Sequence, residues 1–286
     1  MKQKVKRVVV FFLRFLGVIL ISILNPWGGH ALSDEMRMVF SFIGVLFAIL
    51  SGFFISSLWD RFTKIRALLS SESGSLENIY EFLGLVDKKL ADESAKLIDK
   101  YIMKALESKF SEYQEKLRPE YFAFYSLLSK IKGKGGDVPY TRILNILDHF
   151  TRTRKEIIAR MKDRIGLYQW IALLLLSSLL ITLWLYIQPP GIFGVIIGSI
   201  FIFAVLVVLI VIHDLDRLVW SGRKVATEVY DMDIEVYERV YDVIGLPRYY
   251  PEELFDKKAI PEGVKLVRVG IPQKNNKRKI KIFRVK

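Results

Sequence analysis

The chain contains no cysteine. That absence excludes disulfides, thiolate metal sites and a cysteine nucleophile. Histidine is nearly as scarce. His30, His149 and His213 are the whole set and are widely spaced, which argues against a histidine metal site or catalytic triad. No glycine-rich phosphate loop, nucleophile elbow or catalytic carboxylate pair is present. The basic excess of 43 Lys and Arg over 30 Asp and Glu comes without a helix-turn-helix, zinc-finger or aromatic-basic strand pattern. These absences point away from an enzyme, a cofactor, a bound metal and a nucleic-acid partner. The most informative gap is local. Between Arg164 and Asp214 there is not one Asp, Glu, Lys or Arg.

That gap holds two apolar runs, Tyr168–Ile187 and Ile192–Ile212. At about 1.5 Å per residue each is long enough to cross a roughly 30 Å hydrocarbon core. Gln188-Pro189-Pro190-Gly191 between them cannot continue a helix and allows only a tight reversal. The pair reads as a transmembrane hairpin. Near the start, basic residues 1–7 precede Val8–Leu24, apolar except for Arg14. A signal peptide cleaved near Gly29-His30-Ala31 and an uncleaved first span both fit this pattern. Arg14 and the length of the run favour the span. A further span, Met38–Leu58, carries no charge before Asp60 and Arg61.

Charge decides which side the soluble parts occupy. Five Lys and Arg lie up to Arg14, 21 between the second and third spans and 16 after His213, whereas the outer loops hold Arg37 alone. By the positive-inside rule both termini and the large charged segments are cytoplasmic. Trp27 and Trp184 fall at the outer ends of the spans and Trp59, Trp170 and Trp220 at the inner ends, as interfacial anchors do. The expected fold is an all-α integral membrane protein of the cell membrane. It has four transmembrane helices, a cytoplasmic helical domain and a small α+β C-terminal tail. Residues 1–58 form the first transmembrane pair and 59–166 the helical region. Residues 167–213 form the second hairpin and 214–286 the tail.

In the helical region, Leu76, Ile79, Tyr80 and Leu83 share one helix face, and Ile98, Tyr101, Ile102 and Ala105 another. Phe122, Tyr125 and Ser126–Ser129 repeat the spacing more loosely. Ser75 suits an N-cap and Pro119 a helix start. Residues 132–139 read as a flexible linker. From Thr141 a helix carries Ile143, Leu147, Phe150, Ile157, Met161 and Ile165, with no breaker before Tyr168, which predicts one rod running into the third span. In the tail, Ala226, Val229, Tyr230, Tyr237, Val240, Tyr241 and Ile244 form a helical face ended by Gly245-Leu246-Pro247. Val264–Ile271 and Lys279–Val285 alternate as a β-hairpin.

Several features carry two readings each. Arg14 is an intramembrane anion attractor or a side chain that snorkels to the inner headgroups. Gly194, Gly198 and Ser199 mark a close helix contact or mere tolerance of small residues in lipid. Asp231, Asp233 and Glu235 with Asp242 approach a calcium-loop spacing, but Val236 stands where a glycine is needed, so a solvated helix face fits better. His213, Asp214 and Asp216 mark the inner boundary and are expected to pair with Arg217 or the basic middle helix. Lys274, Lys277, Arg278 and Lys279 contact anionic lipid or form a soluble hairpin tip.

The stretch from Leu46 to Trp59, with Gly52-Phe53 inside an apolar helix ahead of an interfacial Trp, resembles the second span of bestrophins. The four-span layout and the long helical insert agree, and Glu72-Ser73-Gly74-Ser75-Leu76-Glu77-Asn78-Ile79-Tyr80 is similar to the segment after that span in bacterial bestrophin-like proteins. The resemblance implies a pentameric anion channel whose second span lines the pore. Val45, Ile49 and Phe53, at successive four-residue steps, would then face the axis and gate it by dewetting. Otherwise they are lipid or helix contacts. The chain departs from bestrophins in lacking the proline before the neck residues. The competing functional reading is a non-conducting membrane scaffold or sensor whose cytoplasmic helices bind a partner protein.

Overall fold

A computed structural model describes Gly17 and residues 33–108, 112–132, 137–218, 237–252, 255, 264, 266–273 and 278–284. Apart from Gly17, the expected first span, Arg14 included, lies outside these residues. So do Trp27, Trp220, Ala226–Tyr230, the acidic run 231–235, Lys274 and Lys277. The chain divides into two compact units, one of residues 1–62 and 164–222, the other of 63–163 and 223–286. Among the described residues three helices are long and apolar enough to cross a membrane.

The first of these, α1, runs from Asp34 to Val86 without a break. Asp34 and Glu35 oppose the positive end of its dipole, and Ser33 Oγ accepts the Met36 N–H at 3.4 Å. This single 53-residue helix replaces the expected span plus separate cytoplasmic helix. Ser75 is therefore not an N-cap; its hydroxyl donates back to the Ser71 carbonyl at 3.0 Å. In the first unit, Ile43, Phe47, Phe54 and Leu58 form a buried stripe on α1. They pack against Leu173 and Leu180 of α6 (Leu167–Ile187) and Val205, Ile212 and Leu215 of α7 (Ile192–Asp216). Ser51 falls among them, and its hydroxyl donates to the Phe47 carbonyl at 2.6 Å, so that this hydroxyl is satisfied within its own helix.

The reversal between α6 and α7 needs small residues. Gly191 has φ +92°, and a Cβ on Gly194 would lie 1.9 Å from the Pro189 carbonyl oxygen. One on Gly198 would lie 2.8 Å from both Gln188 Oε1 and Trp184 Nε1. The small residues of this span therefore serve a close contact within the hairpin.

The predicted continuous rod is broken. Helix α5 (Asp137–Lys162) stops four residues before α6 starts. At the break the Ile165 N–H donates to Asp216 Oδ1 at 2.9 Å and the Gly166 N–H to Gln169 Oε1 at 2.7 Å. Side chains thus satisfy donors that a continuous helix would have used, and hydrophobic periodicity carries no trace of them.

The second unit joins the rest of α1 to α2 (Lys88–Glu107), the single turn α3 (Tyr113–Lys116), α4 (Arg118–Lys132) and α5. Asp87 caps α2 by accepting the Lys89 N–H at 2.8 Å. The expected faces of α2 and α5 are buried, from Ile98 to Ala105 and from Ile143 to Met161. Helix α5 starts at Asp137 and not at Thr141, because Pro139 is tolerated in a first turn. The inward face of α4 is Phe124, Leu127 and Ile131, while Phe122 is 53% exposed. Tyr121 and Tyr125 bring it there, since both hydroxyls lie within 2.8 Å of Thr151 Oγ1 on α5.

Residues 237–244 form helix α8, with Tyr237, Val240, Tyr241 and Ile244 buried and Gly245 ending it at φ +69°. Strands β2 (Leu266–Pro272) and β3 (Arg278–Arg284) make the expected hairpin, with Pro272 opposite Arg278. A third strand, β1 (Arg248–Pro251), runs parallel to β2 on its other edge. Sequence alternation does not reveal it, because four residues are too few to show a period. Arg268 on β2 holds Asp99 of α2 with both Nη atoms, at 2.9 and 2.5 Å, and fixes the sheet to the helices.

Candidate functional site

Helix α1 has one face in the core and one that no described residue covers. Phe42, Val45, Ile49 and Phe53 follow one another at three- and four-residue steps and are 62%, 55%, 66% and 64% exposed. Four large apolar side chains in a row form a continuous patch in place of scattered exposure. The same row continues through the exposed Ser56 and Asp60. The face therefore passes from apolar to polar along the helix.

At that polar end the first unit buries a charge. Arg61 Nη1 donates to the Asp216 carbonyl at 3.1 Å and lies 3.9 Å from its carboxylate. The partner of Asp216 is thus Arg61 of α1, where the sequence suggested Arg217 or the basic middle helix. Spacing along the chain cannot find a partner 155 residues away. His213 and Asp214 approach each other at 3.3 Å.

The second unit contains a buried carboxylate that the sequence reading passed over. Ile65, Leu69, Leu76, Ile79 and Leu83 are a buried stripe on α1, and Glu72 occupies the stripe's middle position, fully buried. Three tyrosine hydroxyls donate to it: Tyr101 at 2.5 Å on one oxygen, Tyr113 at 2.6 Å and Tyr237 at 3.2 Å on the other. Burial pushes the Glu72 carboxyl up, while the hydroxyls and the positive charge of Arg154 pull part of the way back. Burial, then the adjacent Glu72 charge, pushes the Tyr101 and Tyr113 hydroxyls well above the ordinary tyrosine range, so they remain donors. Arg154, also buried, stacks its guanidinium over the rings of Tyr121, Tyr101 and Tyr113 at 4.9, 5.6 and 5.7 Å. A carboxylate interrupting an apolar stripe was the signal that would have found this cluster.

Val45, Ile49 and Phe53 do share one open face. Of the basic tail residues, Lys279 is exposed, whereas Arg278 turns inward to the Gly270 carbonyl at 3.2 Å and to Glu107 at 3.7 Å. Among the described residues no cluster of three His, Asp or Glu side chains suits a metal ion.

An apolar hairpin joined to a long helix whose outer face stays uncovered is one half of the comparison; the sequence itself is the other. The sequence pattern of the Bestrophin-like domain matches residues 10–218, well over half of the chain. The chain belongs to the bestrophin-like family. It is an integral membrane protein, and the known members of its family are anion channels. No curated protein sequence matches it. Among solved structures it is similar to a bacterial bestrophin homologue from Klebsiella pneumoniae, with TM-score 0.62 and 14% identity over 82% of this chain and 98% of that one. An isoleucine-to-threonine variant of that homologue gives TM-score 0.64 and 15% identity over 82% and 98%. At such identities the bestrophin-like likeness to these structures speaks for the fold alone.

Proposed function

We propose that this bestrophin-like chain is one subunit of an oligomeric channel that passes small anions, with the open face of α1 lining the pore. The observation that carries the reading is the contrast between the two sides of α1. Phe47, Phe54 and Leu58 are sealed against α6 and α7, while Val45, Ile49 and Phe53 are uncovered. In a symmetric assembly such a row makes an apolar ring, which excludes water when narrow and conducts when widened.

The three apolar helices, the Val8–Leu24 run and the Lys and Arg distribution support a reading with four spans and both termini in the cytoplasm. Four helices are too few to enclose a pore, so the subunits assemble, as a pentamer if the family pattern holds. The basic cytoplasmic segments raise the local concentration of anions at the inner mouth. In this arrangement Lys279, which is exposed, can meet anionic lipid.

Reconstitution into liposomes with a halide-flux assay tests the proposal. Flux above empty vesicles is the expected result. No flux, together with a monomeric or dimeric protein, would favour the non-conducting scaffold that binds a partner through its cytoplasmic helices.

A further inference from the structure

Beside the Glu72 cluster, between the turn α3 with the start of α4 and the outer face of α5, lies an open cavity of about 620 Å³. That is within the size range of small-molecule sites. Its walls have a one-sided charge. Arg118, Arg154, Lys155 and Lys162 line it against a single acid, Glu115. Lys155 and Lys162, seven residues and two turns apart on α5, lie on one helix face, and Arg154 joins them at the cavity wall from its neighbouring edge. Opposite them are the rings of Tyr121 and Phe122, with Phe122 more than half exposed and Arg118 stacked 5.7 Å from its centroid.

Arg154 is the informative member. It is buried, yet its hydrogen bonds are all long: 3.3 Å to the Tyr101 hydroxyl, 3.4 Å to the Gln114 carbonyl and 3.5 Å to the Leu117 carbonyl. No carboxylate of a described residue forms a close ion pair with it, and the Glu72 charge acts on it only from beyond contact distance. A guanidinium has five N–H donors in a planar fork suited to phosphate. This one is held in place by aromatic rings with its donors weakly engaged, at the wall of a basic cavity. Neither Lys155 nor Lys162 has an acidic partner among the described residues.

We infer that the cavity between α4 and α5 binds a phosphate group attached to an apolar or aromatic moiety, with Arg154 at its base, Arg118, Lys155 and Lys162 around the phosphate and Phe122 against the apolar part. A free organic phosphate and a phospholipid headgroup offer the same chemistry. This site is distinct from the α1 face, and its occupancy is measured as binding, independently of conduction.

The test is calorimetric titration of the full chain in detergent with phenyl phosphate and with inorganic phosphate. Phenyl phosphate is expected to bind at least threefold more tightly, because only it uses the Phe122 wall. The exposed pair Arg118→Gln and Lys155→Gln weakens it by about tenfold, since two charge-assisted contacts are lost. Glu115→Gln removes the opposing charge and tightens binding, a gain that misfolding cannot produce. Repeating the titration in nanodiscs of phosphatidylcholine with and without phosphatidic acid separates the sources: competition by phosphatidic acid identifies a headgroup, and its absence a soluble phosphate. Failure of phenyl phosphate to bind, or binding unchanged in both the double variant and Glu115→Gln, would overturn the proposal.

Discussion

The Asp216 carboxylate accepts the backbone N–H of Ile165 at 2.9 Å, just before the apolar helix α6 begins. The last residue of the final described span thus caps the start of the preceding one, and its own carbonyl is held by Arg61 of α1. Removing the carboxylate as Asp216→Ala leaves a partly buried N–H without its acceptor, at a cost of about 1–2 kcal/mol. Asp216→Asn keeps an acceptor oxygen and loses less. Melting temperatures in detergent check this ordering; equal losses in the two variants would contradict the capping role.

Glu72 makes stability depend on pH. Its carboxyl is raised by burial above the ordinary glutamate value of 4.5, so the folded chain keeps a proton that the unfolded chain has already released. Unfolding then releases a proton, and the unfolded state is favoured as pH rises. The contribution is complete below the ordinary value and is lost as pH climbs through the folded one. Glu72→Gln, of nearly the same shape, is expected to shrink the fall in melting temperature between pH 5 and pH 8. Glu72→Ala, which removes the carboxylate that three buried hydroxyls donate to and opens a cavity among them, costs about 3 kcal/mol or more. An unchanged pH slope in Glu72→Gln would show that this carboxyl is not the group responsible.

Two glycines should respond oppositely to the same substitution. At Gly194 a methyl group would press on the Pro189 backbone, 1.9 Å away, and neither atom is at the end of a flexible chain. Gly194→Ala should destabilise the hairpin by about 2 kcal/mol or more. At Gly74, inside α1, nothing lies within 4 Å, and Gly74→Ala should stabilise by up to about 1 kcal/mol through helix propensity. Thermal unfolding of both variants decides the matter.

The membrane hairpin and the β2–β3 pair were legible in the sequence because each depends on local pattern: an uncharged run around Pro189-Pro190 and alternation around a basic turn. What was not legible depends on residues far apart. Ser75 looked like a helix start because Ser and Gly cluster near it, but buried contacts of Leu69, Leu76 and Leu83 carry α1 straight through. The break before Leu167 rests on Asp216, 51 residues beyond Ile165. Glu72 draws donors from Tyr101, Tyr113 and Tyr237, which are 29, 41 and 165 residues away and so beyond the reach of any helical periodicity. The row Val45, Ile49, Phe53 was visible as a row; that it is the uncovered side of α1, and not the packed side, came from the structure.

The most direct test of the pore assignment uses the absence of native cysteine. Ile49→Cys and Phe47→Cys place single thiols on the open and the packed faces of α1. Both are reconstituted into liposomes and exposed to a water-soluble, charged methanethiosulfonate. Halide flux through Ile49→Cys should fall by half or more on modification, while the cysteine-free chain and Phe47→Cys remain unaffected. If the Ile49→Cys thiol does not react from water, or reacts without changing flux, the open face of α1 does not line a conducting pore.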